Sequence, residues 1–474
     1  MRLARHRCDK IVLDRNALHR QPTRRAACQT LVALPFATLR AQTRPDSFRV
    51  YSESPRLFLR PARLKLLRRE RERQSLRWEQ FNLLWDGNAP FPELGWAAAL
   101  RYQVAQDPAA AKTALAWALA QTTDIRQTSL IADWCDPVLS ASDRTKIHAR
   151  LQRALAGPAP KTLTEARDRA MAAIVLSEAQ PDAAEKALTT LYENFWIKTF
   201  LPPLREGRAR VSNSDACALM ELLHVFRDNV NYDLRESFPA WFKDYPLIHL
   251  MAHYPAPWPA SENEFRIPAD REIRKTGPDL DKAVLSRAAE LAMVAFDTNS
   301  SETQLVQGFC MNDRFAMRGA LGIPYEFLWA NPYQPGLSYY HVPLAQHDSI
   351  GGELFVRSTW EDDAAWIGFF EGQLQLFTEG TVAELDPKLS HEPMDIEEAT
   401  VFFGRDASKF HVPPRKADAA VDDVFIVGLQ PRKSYHVEID GEEMIEEIAD
   451  SGGIIFLPGL PAGIGVRLAP RPIS

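Results

Sequence analysis

The sequence predicts an α+β protein with more than one domain, in which stacked α-hairpins are followed by a β-sandwich. Two observations support this prediction. From Glu93 to residue 298, amphipathic segments with helical spacing recur and are separated by brief breaks, which is typical of successive antiparallel helix pairs. From Gly352 onward, short strand-like runs replace them, beginning with GELFVRSTWEDDAAWIGFF at 352–370.

Local signals place several helix boundaries. Pro61 opens a strongly charged helix that continues as ARLKLLRRERERQSLRWEQF. Asp107 followed by Pro108 is an N-cap with proline at the first helical position, so a helix is expected from residue 108. Ser142 is expected to cap a helix that ends at Gly157-Pro158. Further helical segments are predicted at 163–179, 182–201, 212–229, 234–254 and 279–298.

The later part of the chain carries strand signals. In the first hairpin, Leu354 and Val356 fall on one side of an extended chain, and Phe355 and Arg357 fall on the other. Trp360 and Trp366 are expected to be core residues of the sandwich, and Arg357 an inter-domain ion-pair partner. Asp440-Gly441 is a strong hairpin turn signal. Further strand-like runs are VFIVGL, SYHVEI, EEMIEEI, GGIIFLP and IGVRLAP.

Composition restricts the class of protein. The chain has 474 residues, 46% of them apolar and 25% charged, so it can bury a sizeable core. A net charge of -6 argues against a nucleic-acid partner, and no apolar run reaches the length of a membrane span. Cys135, Cys217 and Cys310 have no metal-ligand spacing, so neither a metal nor a cofactor is expected.

The N-terminus has the layout of a bacterial export signal. Arg24 and Arg25 precede the apolar stretch 26–39, which ends in small residues around Ala41. The paired arginines suggest the twin-arginine route and a periplasmic or secreted protein. The alternative is a disordered basic tail before a core helix. The predicted organisation is therefore an export signal with extra N-terminal residues at 1–42, a helical domain at 43–345 and a β-sandwich domain at 346–474.

Particular phrases resemble the heparinase II/III family and its alginate-lyase relatives over roughly residues 55–474. The phrases are SPRLFLRPARLKLLRRE, ALRYQVAQDPAAAKTALAWALA, IADWCDPVLSASDRTKI and the hairpin at 352–370. The resemblance implies an N-terminal incomplete α/α toroid followed by a C-terminal antiparallel β-sandwich. It also implies β-elimination on uronate-containing polysaccharides. In that reaction Asn or His neutralises the sugar carboxylate, Tyr or His removes the C5 proton, and Tyr protonates the leaving oxygen.

The sequence departs from the family pattern in three places. Where the family has Asn-His on a toroid helix, TLTEARDRAMAA offers acids and arginines at 165–169. Where a catalytic Tyr follows a Gly-rich phrase, REGRARVSNSDACALM has polar residues at 213–215 but no tyrosine. Where the family carries His-x-His early in the sandwich, the run 372–378 has no histidine. The usual catalytic set is therefore missing.

Two Pro-rich connections, 255–278 and 329–344, hold or adjoin the candidate site residues, because long connections of this kind usually lie over a site. His253 and Tyr254 could serve as base and acid. The predicted substrate-binding residues are Trp258, Glu262, Asn263, Arg266, Tyr339, Tyr340 and His341. Among them, Arg266 could bind a uronate carboxylate and Trp258 could stack on a sugar ring. The alternative is a domain junction at which His and Tyr only pack and hydrogen-bond.

Three functions remain open at this point, each with a polysaccharide or oligosaccharide as the partner. The first is a polysaccharide lyase that uses an atypical residue set. The second is a non-catalytic glycan-binding relative. The third is an α/α-toroid glycoside hydrolase, for which Glu206 with Asp215, or Glu262 with Asp270, could form the carboxylate pair.

Overall fold

The computed structural model describes residues 47–120, 123–259, 264–271, 277–312, 317–389, 391–396, 399–404, 409–414, 421–441 and 443–470. These residues all belong to one compact unit, Pro45–Ser474. The predicted export signal at 1–42 lies outside the described residues, so export stays a prediction. Within the described ranges, no helix is both long and apolar enough to cross a bilayer.

The first two thirds of the described chain are helical. The helices are α1 (Pro61–Glu72), α2 (Leu76–Asp86), α3 (Leu94–Ala105), α4 (Pro108–Ala120), α5 (Ile125–Trp134), α6 (Ala141–Ala156), α7 (Leu163–Leu176), α8 (Pro181–Thr190), α9 (Leu201–Arg205), α10 (Asn213–Val230), α11 (Pro239–Met251), α12 (Leu280–Phe296), α13 (Ser301–Asn312) and α14 (Gly322–Trp329). A π-helical stretch, Leu191–Phe200, joins α8 to α9. Short 3-10 turns occupy Asp136–Val138, Leu234–Ser237 and Tyr339–His341.

Capping explains where the helices begin. α1 and α4 start at the predicted prolines, and the Asp107 carboxylate accepts the backbone N–H of Ala109 at 2.9 Å. The predicted cap at Ser142 is wrong. Ser140 caps α6 instead, because its backbone is extended and its Oγ accepts the N–H of Asp143 at 3.1 Å. The same helix ends at Gly157, as predicted.

The helices form an inner row and an outer set. Contacts link α3, α5, α7, α10, α12 and α14 in succession, while α4, α6, α8 and α13 each pack on a member of that row. The inner helices are buried on nearly every side; α7, for example, is buried throughout 170–176. The outer helix α6 buries only Ile147 and Leu151 on a narrow stripe. This alternation is the α-hairpin order that the sequence predicts.

The remaining chain is mostly β-structure. The strands are β1 (Trp258–Pro259), β2 (Glu264–Phe265), β3 (Ala345–Asp348), β4 (Glu353–Arg357), β5 (Trp366–Phe370), β6 (Gln373–Thr378), β7 (Thr381–Leu385), β8 (Met394–Asp395), β9 (Ala399–Phe403), β10 (Lys409–His411), β11 (Val421–Val427), β12 (Ser434–Ile439), β13 (Glu443–Ile448), β14 (Ile455–Pro461) and β15 (Gly465–Pro470). β1 and β2 pair within the first Pro-rich connection, and the other strands form sheets in the orders β3-β4-β5-β6-β7, β14-β11-β9-β8 and β10-β15-β12-β13. β9 and β11 pair in parallel, and the other described pairs are antiparallel.

The three larger sheets are stacked, so two of them are buried on both faces. In the five-stranded sheet, Leu354 and Val356 pack against the β9 and β11 strands. Phe355 points to the opposite face and packs against α11. The sheet that contains β9 and β11 packs its own opposite face against the β12 and β15 strands. The α+β class is therefore confirmed, with the change from helices to strands at residue 345.

Strand register explains how an arginine becomes buried at the junction. Arg357 lies two residues after Phe355 on β4, so both side chains point toward the helices. Arg357 is only 1% exposed. Trp360 and Trp366, predicted as core residues of the sandwich, are buried instead in the cluster between the five-stranded sheet and the helices. The Trp366 indole N–H donates to the Met251 carbonyl at 3.0 Å.

Candidate functional site

Phe309, on α13, is the centre of the region in which several sequence-predicted residues meet. Its ring centroid lies 5.4 Å from the His253 ring and 5.5 Å from the Tyr339 ring. The Arg266 guanidinium lies 5.6 Å from the same centroid. The ends of the two Pro-rich connections therefore converge at the junction of the helices and the five-stranded sheet.

His253 is buried beneath this region. Its Nδ1 lies 3.0 Å from the His249 carbonyl oxygen, and its Nε2 lies 3.1 Å from Glu290 Oε1. Glu290 comes from α12 and is held on its other oxygen by Arg287, 2.8 Å away. Both ring nitrogens of His253 thus face groups of the protein itself.

Tyr254 connects the first Pro-rich connection to the five-stranded sheet. Its hydroxyl donates to Gln375 Oε1 at 2.8 Å, and its ring stacks on Phe377. The Gln375 amide in turn donates to the Asp270 carbonyl at 2.8 Å. Burial raises the pKa of the Tyr254 phenol. Because a raised pKa disfavours phenolate, this geometry is more suitable for an anchor than for a catalytic base.

Arg266 is the best placed of the predicted substrate-binding residues. It donates to the Pro255 carbonyl at 2.8 Å, and it also donates to Asp362 Oδ1 at 2.8 Å. Asp362 belongs to the polar turn of the first hairpin and its side chain is 59% exposed. Glu262, Asn263 and the side chain of Trp258 lie outside the described part, so their predicted roles stay untested.

The three predicted residues of the second connection differ in exposure. Tyr339 is buried, with its ring 5.2 Å from that of Trp360. Tyr340 stacks on Tyr339 with ring centroids 4.7 Å apart and is 48% exposed. His341 is also exposed. An accessible aromatic ring therefore lies next to the buried aromatic layer.

Arg357 is a functional candidate that the sequence does not identify, because its position there predicts an inter-domain ion-pair partner. Its guanidinium lies 4.0 Å from the centroid of the Trp360 ring. Its Nε and Nη2 have no hydrogen-bond partner in the part of the chain that the structure describes. Burial and the nearby Arg266 lower the pKa of Arg357 to about 9. The signal in the sequence was a lone arginine at an inward-facing position of a strand.

A small cavity lies at another part of the same junction. Its volume is about 20 Å³, and its lining includes Arg210, Tyr245, His249 and Glu353. The buried Tyr245 hydroxyl has no hydrogen-bond partner among the described residues. A space of this size holds a single water molecule and is too small for a sugar ring.

Glu353 should make stability depend on pH. Burial raises its pKa to about 7, although Arg210 Nε lies 3.2 Å from Glu353 Oε1. The unfolded carboxyl has its ordinary pKa of 4.5, so the folded state binds the proton more tightly. The contribution of Glu353 to stability is then present below pH 4.5 and is lost as pH rises through 7.

We therefore expect Glu353→Gln to raise the free energy of unfolding at pH 8 by about 1–3 kcal/mol, with little effect at pH 4.5. Urea unfolding at the two pH values measures this difference. Glu371→Gln is the control, since Glu371 lies farther from Arg210, at 3.9 Å, and is more exposed. An equal effect of Glu353→Gln at both pH values would contradict the assignment.

A second charged cluster lies among the inner helices. Glu221 on α10 is fully buried and accepts hydrogen bonds from Arg126 on α5 and Arg167 on α7. Arg167 also pairs with Asp168 at 2.7 Å, and Arg126 reaches Glu93 at 3.3 Å. Of the acids and arginines at 165–169, Arg167 and Asp168 therefore contribute to an ion-pair network.

The carboxylates considered for a hydrolase are engaged elsewhere. Glu206 pairs with the exposed Arg208 at 2.5 Å. Asp215 accepts the hydroxyl of the α10 cap Ser212 at 2.7 Å. Asp270 pairs with Lys282 at 2.7 Å. Glu262 lies outside the described residues, so the structure provides no support for either predicted pair.

No protein-family model matches the chain, and no curated protein matches it. A solved structure described as "Glycoside hydrolase" is similar over 84% of this chain and 76% of its own, with 11% sequence identity and a TM-score of 0.33. A TM-score this low establishes neither a shared fold nor a shared activity. The resemblance to the heparinase II/III family thus rests on the sequence phrases alone.

Proposed function

We propose that this protein binds an acidic, uronate-containing polysaccharide or oligosaccharide at the arginine–aromatic cluster. The name denotes Arg266, Tyr339, Tyr340, Arg357 and Trp360. The observation that supports the proposal is the buried Arg357, whose Nε and Nη2 have no hydrogen-bond partner in the described part. A buried cation with two donor atoms that lack hydrogen-bond partners is costly, so its presence requires an explanation.

A carboxylate ligand would provide that explanation. The guanidinium group presents its donors as a planar fork that matches the two oxygens of a carboxylate. Arg266 lies close enough to Arg357 to lower the pKa of Arg357, so two positive charges lie together and can attract one carboxylate. The exposed ring of Tyr340 offers an apolar face against which a sugar could pack. These are the groups that a uronate residue requires.

Asp362 occupies part of this region in the ligand-free protein. Its carboxylate pairs with Arg266, and its negative charge opposes part of the lowering of the Arg357 pKa. Because the side chain is 59% exposed, it can move into water at small cost. We therefore propose that the Asp362 carboxylate occupies the position of the ligand carboxylate, and that a bound uronate displaces Asp362.

The geometry supports glycan binding better than β-elimination by His253 and Tyr254. Both nitrogens of His253 face protein groups, and the Tyr254 hydroxyl donates to Gln375. A lyase base must reach the C5 proton of the sugar within hydrogen-bond distance. The proposed function is therefore that of a glycan-binding relative of the lyases, and export remains part of the proposal.

Arg266→Ala should weaken binding of a polyuronate by about 1.5–3 kcal/mol, because a charge-assisted hydrogen bond is lost. Asp362→Asn should strengthen the same binding, because it removes the competing carboxylate. Calorimetric titration with a polyuronate and with a neutral glucan measures both changes. Arg271→Ala is the matched control, since Arg271 is an exposed arginine of the same connection. Equal losses for the two glycans, or for the two arginine variants, would contradict the proposal.

The same glycans test for cleavage. The ultraviolet absorbance of unsaturated uronate products should stay flat when the wild-type protein is incubated with polyuronates. Growing absorbance that Tyr254→Phe abolishes would instead establish the lyase reaction predicted from the sequence.

A further inference from the structure

Three ligand atoms meet near Phe309, whose ring also contacts Arg266 and Tyr339 of the arginine–aromatic cluster. They are Nε2 of His249, Nε2 of His253 and Oε1 of Glu290, and all lie within 4.8 Å of one another. Glu290 Oε1 is 3.3 Å from the His249 nitrogen and 3.1 Å from the His253 nitrogen. All three side chains are at most 3% exposed. We propose that these residues bind a divalent transition-metal ion of the zinc type.

The distances between the ligand atoms fit such an ion. In a tetrahedral zinc site with bonds of about 2.0–2.1 Å, neighbouring ligand atoms are roughly 3.3 Å apart. The two distances from Glu290 Oε1 are close to this value. Two imidazole nitrogens and one carboxylate form a donor set typical of zinc, whereas calcium and magnesium prefer oxygen ligands.

The hydrogen bond on the far side of the His253 ring supports the assignment. Its Nδ1 lies 3.0 Å from the His249 carbonyl oxygen, which can only accept, so the proton is on Nδ1. In the neutral ring, Nε2 then directs a lone pair at the carboxylate oxygen 3.1 Å away. Two electron-rich atoms at this distance repel each other unless a positive charge lies between them. A backbone carbonyl that fixes the tautomer is also the usual outer partner of a metal-bound histidine.

The surrounding groups leave Glu290 Oε1 available. Arg287 holds the other oxygen of the carboxylate at 2.8 Å, which orients Oε1 toward the histidines. Ser286 Oγ lies 3.1 Å from His249 Nε2 and places another oxygen beside the three ligand atoms. The cavity of about 20 Å³ is lined in part by His249, so a water molecule can occupy a nearby position.

The sequence contained a signal for this site that the cysteine pattern could not provide. His249 and His253 are separated by three residues in HLMAH, so they are about one helical turn apart, with His249 in the last turn of α11 and His253 just after its end. Glu290 follows 37 residues after His253, on α12. An ion at this position would join the end of α11 to the middle of α12. The inference is independent of glycan binding.

The alternative to a metal ion is a proton that makes His253 an imidazolium beside Glu290. To separate the two, tag-free protein of the full chain is dialysed against Zn²⁺ and its metal content is measured. We expect one zinc ion per chain, and a rise in thermal unfolding temperature that an added chelator reverses. Dialysis against Co²⁺ should produce visible absorption bands of a four- or five-coordinate site, which a proton cannot produce.

His253→Gln and Glu290→Gln should each abolish stoichiometric zinc binding. His224→Gln is the matched control, because His224 is also a buried helical histidine but lies outside the set of three ligands. If a variant fails to fold, the Co²⁺ spectrum of the wild-type protein still distinguishes a metal site from a protonated His253. Wild-type protein that retains no zinc and shows no Co²⁺ bands would overturn the proposal, as would full binding by both folded ligand variants.

Discussion

Replacing Glu221 by glutamine should lower the free energy of unfolding by about 3–5 kcal/mol, the range typical of a broken buried ion pair. Glu221 is fully buried and accepts two hydrogen bonds from Arg126 Nε, at 3.1 and 2.9 Å, and one from Arg126 Nη2, at 2.6 Å. Arg167 adds another at 3.0 Å. Glutamine keeps the shape of the side chain but removes the charge, so two nearly buried arginines lose their shared counter-ion.

The effect should be large because the network joins inner helices that are distant in sequence. Glu221 lies on α10, Arg126 on α5 and Arg167 on α7. In spite of burial, the two arginines hold the pKa of Glu221 below its ordinary value of 4.5. A lowered folded pKa stabilises the protein above pH 4.5, and this contribution is lost as pH falls through the folded value. The difference between wild type and variant should therefore shrink in acid.

Urea unfolding followed by circular dichroism at pH 7 measures the change. The control is Glu72→Gln, since Glu72 is exposed and lies 3.9 Å from Arg71, where a surface pair contributes about 0–1 kcal/mol. A loss below about 1 kcal/mol for Glu221→Gln would show that the network is not the inter-helix connection described above.

Arg357→Met should move stability and binding in opposite directions. Methionine is uncharged and unbranched, although it is shorter than arginine. It removes the cost of burying a cation with unsatisfied donors and should raise the free energy of unfolding by about 1 kcal/mol or more. Binding of a polyuronate should fall by about 10- to 100-fold, the loss expected for charge-assisted hydrogen bonds. A residue that weakens the fold and strengthens binding is typical of a functional site.

Arg357→Lys is the companion variant. Lysine keeps the positive charge but lacks the planar fork, so polyuronate binding should still fall while stability gains little. Urea unfolding and calorimetric titration provide the two readouts. If methionine instead destabilises the protein, the guanidinium is a structural group and the proposed carboxylate site loses its main support.

Local signals in the sequence predicted much of the fold. Pro61, Pro108 and the Asp440-Gly441 turn mark element ends correctly, because each acts through its own backbone conformation. Ser140 and Ser142 are equally good capping residues by type, so the choice between them depends on where the preceding loop becomes extended. That conformation is fixed by contacts outside the local sequence.

The stacking of the sheets could not be predicted in the same way. β9 pairs in parallel with β11, and β14 lies on the other side of β11, so their order depends on pairing between distant segments. When both faces of a strand are buried, its sequence lacks the alternation of apolar and polar residues that normally identifies a strand. β4 and β9 are buried at every position, so their sequences do not show which side faces the helices.

The candidate site was predicted only in part. His253, Arg266 and Tyr339 were placed near the junction because their connections lead into it, and the structure brings them together around Phe309. Glu290 and Arg357 were missed because each meets the site only through long-range packing. The burial of these two charged side chains becomes visible only in the structure.

The five-stranded sheet has a consequence for how this chain can change over evolutionary time. One face of this sheet packs on α11, and the other packs on the sheet that contains β9 and β11. The five-stranded sheet therefore contacts both the helical part and the rest of the β-structure. A substitution at Phe355 or Trp366 changes the packing of residues in the helical part, even though these two positions belong to strands. The two halves are therefore expected to be inherited together and to vary in concert, rather than being exchanged as separate modules.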